Sequence, residues 1–101
     1  MSAEPRSRAQ RRRDTEHRLT HDIDVWVATA SADGAPYLVP LSFDWDGEAL
    51  LLATPTDSPT GRNLAATRTV RLRISPRRIQ AWREVNELPD RELMRDGRWL
   101  V

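Results

Sequence analysis

The segment Tyr37–Asn63, YLVPLSFDWDGEALLLATPTDSPTGRN, decides the fold of this chain. Its first part, up to Trp45, is rich in apolar and aromatic side chains, which is typical of a half-buried strand. The Asp46-Gly47 pair supplies the left-handed backbone that a tight hairpin turn needs. The apolar run Ala49–Ala53 is short enough to be a buried strand rather than a helix. The segment therefore predicts two antiparallel strands joined by a hairpin.

The chemistry changes after Ala53, where a polar loop leads into a helix start. Ser58-Pro59 pairs an N-cap residue with the residue favoured at the first helical position, which predicts a short helix over residues 59–68. Polar and charged groups are concentrated here, in Thr54, Thr56, Asp57, Ser58, Thr60, Arg62 and Asn63. The free N–H groups of a helix start attract anions, and the guanidinium of Arg62 is suited to phosphate. This stretch is therefore a candidate anion site, with a plain helix cap as the alternative role for Ser58.

A further strand is predicted upstream of this segment. Residues Val25–Ser31 alternate between two faces, and Asp33-Gly34 is a second hairpin signal. The two Asp-Gly turns predict a three-stranded meander. Pro40 lies inside the second strand, where it cannot donate to the ladder, so we expect it at an edge, a bulge or a place where the sheet opens.

The segment after the helix predicts an unusual strand. Residues Thr69–Ile74 alternate cleanly, Arg77–Arg83 is strand-like, and Ser75-Pro76 lies between them. Because Pro fixes φ near −65°, this dipeptide does not favour a two-residue hairpin. We therefore expect one long bent strand or two collinear pieces from Thr69 to about Arg83, and a barrel left open with edges that a partner chain must cover. The remainder, Glu84–Val101, is predicted to be a polar tail with solvated acids and a turn at Asp96-Gly97.

Length and charge limit the classes of protein to consider. With 101 residues the chain is one domain at most, and a core this small would gain from dimerisation. All 16 basic residues are Arg, and the net charge of +1 argues against a domain built to bind nucleic acid. The Arg-rich residues 1–18 are predicted to be an N-terminal arm, with a solvated helix over Arg8–Leu19, and residues 19–101 the domain proper. Contact between the Arg11–Arg13 cluster and nucleic acid is the less favoured alternative.

Several kinds of site are absent from the sequence. There is no cysteine, and hence no disulfide or thiolate metal site. His17 and His21 lie one helical turn apart, but no third ligand is patterned around them, so we expect two solvated histidines and no metal. No catalytic triad, carboxylate pair or Gly-rich phosphate loop is present. No apolar run approaches the ~20 residues of a membrane span, so a cytoplasmic protein is expected.

Three pieces of the sequence resemble the pyridoxamine 5'-phosphate oxidase-like flavin-binding split barrels. They are VWVATASADGAPYLVPLSFDWDGEALLLAT, SPTGRNLAATRTVRL and PRRIQAWRE. The resemblance runs from Leu19 onward and implies a mostly β, split-barrel-like domain with one or two short helices. Family members usually carry further strands between the second and third pieces. The chain is therefore expected to form an incomplete barrel, with flavin affinity weaker than a complete barrel gives, or absent.

The resemblance also implies a set of cofactor-binding residues. Pro40, Leu41 and Ser42 match the strand segment beside the isoalloxazine ring, with an ordinary strand as the alternative. The residues that match the flavin phosphate loop are Thr54, Ser58, Thr60, Arg62 and Asn63. Relatives often have a Lys in this loop, and without it Arg62 is the only cation there. Trp82 matches a position that packs close to the flavin, often from the partner subunit, although a core tryptophan is the more favoured role.

The function implied by the resemblance is FMN binding with flavin-dependent oxidoreductase activity on an unknown small molecule, in a homodimer. A deazaflavin in place of FMN is an alternative within redox chemistry. A second hypothesis is a non-catalytic flavin or haem binding module, or an inactive shortened family member. A third is a small barrel that binds nucleic acid through the Arg-rich arm. One Tyr and one Phe offer few stacking aromatics for that role.

Overall fold

The chain folds around two separate sheets. The computed structural model describes residues 4–64 and 71–101, with only the backbone of residues 71 and 72. The chain divides into two units. The sheet unit is the continuous segment Asp22–Ile74, and the terminal unit joins Met1–His21 to Ser75–Val101. Thus the terminal unit brings the two ends of the chain together.

The sheet unit contains four antiparallel strands in the order β1-β2-β3-β4. The strands are β1 (Asp24–Ala30), β2 (Pro36–Trp45), β3 (Leu50–Ala53) and β4 (Arg71–Ile74). Helix α2 (Pro59–Leu64) lies between β3 and β4 in the chain. The predicted three-stranded meander is confirmed, and so is the start of the predicted helix at Pro59.

The two faces of this sheet differ as the alternation of the sequence predicts. In β1, and in β2 from Val39 onward, every second residue is half-buried. The register sets Val27 opposite Val39 and Phe43 opposite the buried Leu52. We call this the inner face, formed by Val25, Val27, Thr29, Val39, Leu41, Phe43, Trp45 and Leu52. The outer face carries exposed residues of the same strands, namely Trp26, Ala28, Leu38, Pro40, Ser42, Asp44, Leu51 and Ala53.

Both predicted Asp-Gly turns are present, and each relies on its glycine and on a side-chain acceptor. Gly34 and Gly47 have φ of 87° and 98°, in the left-handed region that favours glycine. Asp46 Oδ1 accepts hydrogen bonds from the N–H groups of Glu48 (2.9 Å) and Ala49 (2.8 Å). These bonds, together with Arg73, hold the pKa of Asp46 below its ordinary value. The turns therefore fix the register of β1–β2–β3.

The terminal unit packs a helix on a small sheet. Its elements are α1 (Arg8–His21), β5 (Ile79–Gln80), a 3₁₀ turn (Val85–Glu87), β6 (Glu92–Arg95) and β7 (Arg98–Trp99). The three strands pair antiparallel in the order β5-β6-β7, and Leu93 and Met94 are buried. Asp96 and Gly97, with φ of 52° and 79°, form the tight turn between β6 and β7. The turn at Asp96-Gly97 was predicted, but the two strands around it were not.

A buried acid joins the two ends of the chain within the terminal unit. The carboxylate of Glu87, only 2% exposed, accepts from the Arg6 side chain at 3.0 and 2.7 Å. It also accepts from the backbone N–H groups of Arg6 (2.8 Å) and Arg83 (2.9 Å). Hydrogen bonding by the Arg6 side chain is the main cause that holds the pKa of Glu87 well below its ordinary value. The prediction that the acids of this tail are solvated is therefore wrong for Glu87.

The Arg-rich helix α1 is also more engaged than the sequence suggests. It runs from Arg8 to His21, as predicted at its start, but Arg11 is 4% exposed and donates to the carbonyls of Ala81 and Glu87. Arg12 lies over the ring of Trp99 at 4.2 Å and pairs with Glu16. The helix is therefore not a solvated arm along its whole length, because its long side chains cover the sheet of the terminal unit.

The predicted fold class is confirmed. Two antiparallel sheets and two helices make the described residues mostly β, and no closed barrel forms among them, as expected of an incomplete split barrel. The prediction of one long bent strand from Thr69 to about Arg83 is wrong, whereas its alternative, two collinear pieces, stays a prediction. β4 ends at Ile74 and pairs with β3, whereas β5 begins at Ile79 and pairs with β6. Pro76 interrupts the ladder because it lacks an N–H group. Thr69 and Val70, with which the predicted strand begins, lie outside the described residues.

Among the described residues, no helix is both long enough and apolar enough to cross a bilayer.

Candidate functional site

The loop between β3 and α2 is held by a short chain of hydroxyl groups. Ser58 Oγ accepts from the N–H of Gly61 at 3.0 Å, which makes Ser58 the N-cap of α2, as predicted. The same hydroxyl donates to the carbonyl of Pro55 at 2.7 Å and lies 3.1 Å from Thr54 Oγ1. Since the hydroxyl proton of Ser58 is donated to the Pro55 carbonyl, Thr54 Oγ1 is the donor in the bond between the two hydroxyls. Both hydroxyls are thus bonded within the loop itself.

The first turn of α2 packs tightly against this loop. A Cβ atom added to Gly61 would lie 2.2 Å from the Pro55 carbonyl oxygen and 2.9 Å from Thr56 Cα, so only glycine fits there. Thr60 is 1% exposed, and its hydroxyl has no hydrogen-bond partner among residues 4–64 and 71–101. A buried hydroxyl without a partner carries a desolvation cost. The loop therefore contains a polar group that still has a hydrogen bond to make.

Arg62 and Asn63 point in different directions from α2. The exposed side chain of Arg62 donates from Nη1 to the carbonyl of Asp57 at 2.8 Å, which holds the guanidinium beside the loop. Asn63 Nδ2 donates to Thr29 Oγ1 at 3.0 Å, which ties α2 to the inner face of the sheet. Sequence reasoning missed Thr29 as the anchor, although its position on the inner face follows from the alternation of β1.

Strand β2 has an open edge beside this loop. β3 pairs only with Phe43, Asp44 and Trp45, so the earlier part of β2 has β1 as its one strand neighbour among the described residues. Phe43 N donates to Ile23 O at 3.0 Å. Backbone groups alternate sides along a strand, so those of Leu41 also face β1, whereas those of Leu38 and Pro40 face the open edge. The sheet therefore opens at Pro40, one of the positions predicted for this proline.

The predicted residues of β2 are divided between the two faces. Leu41 lies half-buried on the inner face, the face to which Asn63 ties α2, whereas Pro40 and Ser42 are exposed on the outer face. Ser42 Oγ donates to Asp24 Oδ1 at 2.9 Å. A groove of about 780 Å³ is lined by Ile23, Ser42, Phe43, Asp44, Leu51, Leu52, Ala53 and Arg73. Of the predicted residues, only Ser42 lines it.

Trp82 belongs to the terminal unit, apart from the other predicted residues, which all belong to the sheet unit. It follows β5 and is 48% exposed, so it is not a core residue of the terminal unit. Across residues 4–64 and 71–101, no group of three or more His, Asp or Glu side chains is arranged to hold a metal ion. His17 and His21 stack on each other at 4.1 Å between ring centroids, on the exposed end of α1.

The comparisons with known proteins agree with this architecture. A family model described as Pyridoxamine 5'-phosphate oxidase matches residues 16–99. No curated protein matches the chain. The match covers most of the chain, including the strands β1 to β7 of the described residues, α2 and the loop before it. The chain therefore belongs to the pyridoxamine 5'-phosphate oxidase family.

Proposed function

We propose that the chain binds FMN and acts, as a homodimer in the cytoplasm, as a flavin-dependent oxidoreductase on a small molecule. The observation that carries this proposal is the open edge of β2 beside the loop that leads into α2. Unpaired backbone groups of β2 are found there, and α2, which carries the cation Arg62, is in contact with β2. A flavin mononucleotide has a ring with a polar edge at one end and a phosphate at the other, so it needs both features.

The open edge of β2 suits the ring. The N–H and C=O groups of Leu38 and the C=O group of Pro40 face that edge, and no strand among the described residues pairs with them there. Such groups are strong hydrogen-bonding partners, and both residues are exposed, so a ligand can reach them. We therefore propose that the backbone groups of Leu38 and Pro40, two residues apart on this edge, contact the polar edge of the ring. Leu41 and Ser42 follow Pro40 in the strand and flank the ring.

The loop suits the phosphate. Arg62 has further guanidinium donors to offer beside the loop, because its bond to Asp57 O uses a single Nη1 donor and the described residues give its side chain no other partner. Thr60 carries the hydroxyl without a partner. Thr54, Ser58 and Asn63 are engaged in bonds that shape the loop, so in this proposal they position the phosphate-binding groups or exchange partners when the ligand enters.

FMN supplies the redox chemistry when bound, since it accepts and returns two electrons as a hydride equivalent. The residues of the chain bind and orient the cofactor, and we assign no catalytic acid or base. Trp82, exposed on the terminal unit, is proposed to cover the flavin from the partner subunit. In that role each cofactor site would be built from residues of both subunits.

A second candidate is a binding module without catalysis, for FMN, a deazaflavin or haem. The open barrel favours it, because the described residues leave the inner face of the sheet without the further strands of a closed barrel. An open site admits water, and catalysis depends on its exclusion. The two candidates share the same cofactor site and differ in what the bound cofactor does.

An absorbance scan of the purified chain, followed by addition of NADH or NADPH without oxygen, tests the proposal. The enzyme hypothesis predicts a flavin spectrum that bleaches as the bound cofactor is reduced. A flavin spectrum that neither nucleotide bleaches supports the binding module instead. Absence of any flavin spectrum, even after incubation with FMN and removal of the excess, would contradict the enzyme hypothesis and an FMN-binding module, and would leave only a module for a deazaflavin or haem.

A further inference from the structure

We propose that β1 of one chain pairs edge to edge with β1 of a second copy, in antiparallel orientation. β1 is an end strand of the four-stranded sheet, and β2 is its one strand neighbour among the described residues. It is seven residues long, DVWVATA. The inference concerns how two copies assemble and does not depend on the flavin proposed above.

The backbone groups on the far edge of β1 can be identified from its bonds to β2. Phe43 N donates to Ile23 O and Ser31 N donates to Ala35 O, both at 3.0 Å. The backbone groups of Ile23 and Ser31, just before and just after β1, therefore face β2, as do those of the odd-numbered residues between them. Backbone groups alternate along a strand. The outward edge therefore presents the N–H and C=O groups of the even-numbered residues, Asp24, Trp26, Ala28 and Ala30.

This edge lacks the features that usually prevent strand addition. Proteins protect edge strands with basic side chains, prolines, bulges or short length. β1 contains no Pro, Lys or Arg, and it pairs with β2 without a register shift. Its one charged residue, Asp24, lies at the start of the strand and accepts a hydrogen bond from Ser42 Oγ. The opposite edge strand, β4, is four residues long and carries Arg71 and Arg73 in sequence. The contrast between β1 and β4 indicates that the edge of β1 is available for pairing with another strand.

The sequence of β1 is complementary to itself. A two-fold axis at Val27 sets Val27 opposite its own copy, Trp26 opposite Ala28 and Asp24 opposite Ala30. In this register the even-numbered residues of one copy lie opposite even-numbered residues of the other. Their outward N–H and C=O groups can therefore form antiparallel hydrogen-bonded pairs. The large Trp26, 69% exposed, meets a small residue, and no like charges face each other. This register also pairs all seven residues, whereas a shift of two residues leaves part of the strand unpaired.

Cysteine cross-linking tests the pairing and its register in the chain without flavin. The chain contains no cysteine, so a single Val27→Cys variant introduces one thiol. In the proposed register the two copies of residue 27 form a non-hydrogen-bonded pair, close enough for a disulfide. Mild oxidation should therefore convert most of the variant into a covalent dimer. The control is Val39→Cys, which replaces the partner of Val27 on the inner strand β2 and should stay monomeric on a denaturing gel.

A second pair of variants keeps the test valid if cysteine at position 27 impairs folding. Ala28→Lys places a charge on the exposed face of β1, at the edge, and should shift sedimentation from dimer to monomer. Ala53→Lys, the same change on the same face of the interior strand β3, should leave the dimer intact. Equal cross-linking of both cysteine variants, no cross-linking of Val27→Cys in a folded chain, or a dimer that survives Ala28→Lys would overturn the proposal. Since FMN is absent throughout, a failed flavin titration does not affect the result.

Discussion

At the scale of single residues, Arg62 carries the proposed phosphate contact. Its guanidinium bonds the carbonyl of Asp57 and otherwise faces solvent, so it has donors to offer to a dianion. Arg62→Ala should weaken FMN binding by about tenfold to a hundredfold, the worth of a charged hydrogen bond of roughly 1.5–3 kcal/mol. Fluorescence titration of FMN measures this.

The matched control for Arg62 is Arg13→Ala, which removes an exposed arginine of α1 whose side chain donates to Gln10 Oε1. Its FMN affinity should equal that of the natural chain. If Arg62→Ala and Arg13→Ala bind FMN equally well, Arg62 does not hold the phosphate.

Gly61 is where the loop and α2 come into closest contact. Gly61→Ala places a methyl group 2.2 Å from the Pro55 carbonyl oxygen, so the loop must shift. Forced packing of this kind costs roughly 1–3 kcal/mol of unfolding free energy. Gly47→Asn is the control, since a Cβ atom there meets nothing within 4 Å and asparagine accepts the strain of a left-handed backbone better than most residues. In urea denaturation Gly47→Asn should lose clearly less stability than Gly61→Ala, and the reverse order would refute the packing argument.

Local sequence signals were sufficient for some of these residues and not for others. The Ser58 cap and the two turn glycines were predictable because their partners lie within a few residues. Glu87 was not, since its partner Arg6 lies 81 positions away and nothing near Glu87 distinguishes it from the solvated acids around it. The open edge at Pro40 was predicted as one of three possibilities, and the proline itself was the signal.

At the scale of elements, the Arg6–Glu87 pair connects the N-terminal segment to the turn that follows β5. The depressed pKa of Glu87 gives a pH dependence of known sign. The stabilisation is fully present above the unfolded-state pKa, near 4.5, and is lost as the pH falls below it, because unfolded Glu87 then binds a proton more readily. Urea midpoints should therefore fall below pH 4.5 in the natural chain.

Glu87→Gln removes this titration, so its urea midpoint should be lower at neutral pH and should change less between neutral and acidic pH. Glu84→Gln, at an exposed glutamate of the same segment, is the control and should keep the pH dependence of the natural chain. An unchanged acid profile in Glu87→Gln would show that other carboxylates, such as Asp14 or Asp46, dominate the loss.

The strands were predictable in proportion to their length and regularity. β1 alternates over its seven residues and β2 from Val39 onward, and the bounds of both strands were predicted within a residue or two. β6 and β7 are four and two residues long, too short for periodicity to emerge from a polar tail. The prediction of a continuous strand through Ser75-Pro76 was wrong for another reason. The alternation on each side was real, but which sheet each piece joins is decided by partners distant in sequence.

At the scale of the whole molecule, family membership and the open sheet make a consistent account. The matched residues 16–99 include the complete described sheet unit after α1, but the four-stranded sheet does not close into a barrel. Among the described residues, the outer edges of β1 and β4 and the earlier part of β2 therefore stay open. We assign the edge of β2 at Leu38 and Pro40 to the cofactor, and that of β1 to a second chain. The boundary between an arm of residues 1–18 and a domain from residue 19 stays a prediction.

The most direct test of the account is a titration of the purified chain with FMN and, in parallel, with riboflavin, which lacks the phosphate. The account predicts saturable binding of one FMN per chain, and affinity for riboflavin that is lower by about tenfold or more, because the contacts to the phosphate are missing. A fluorescence or absorbance signal that never saturates with FMN would contradict the account.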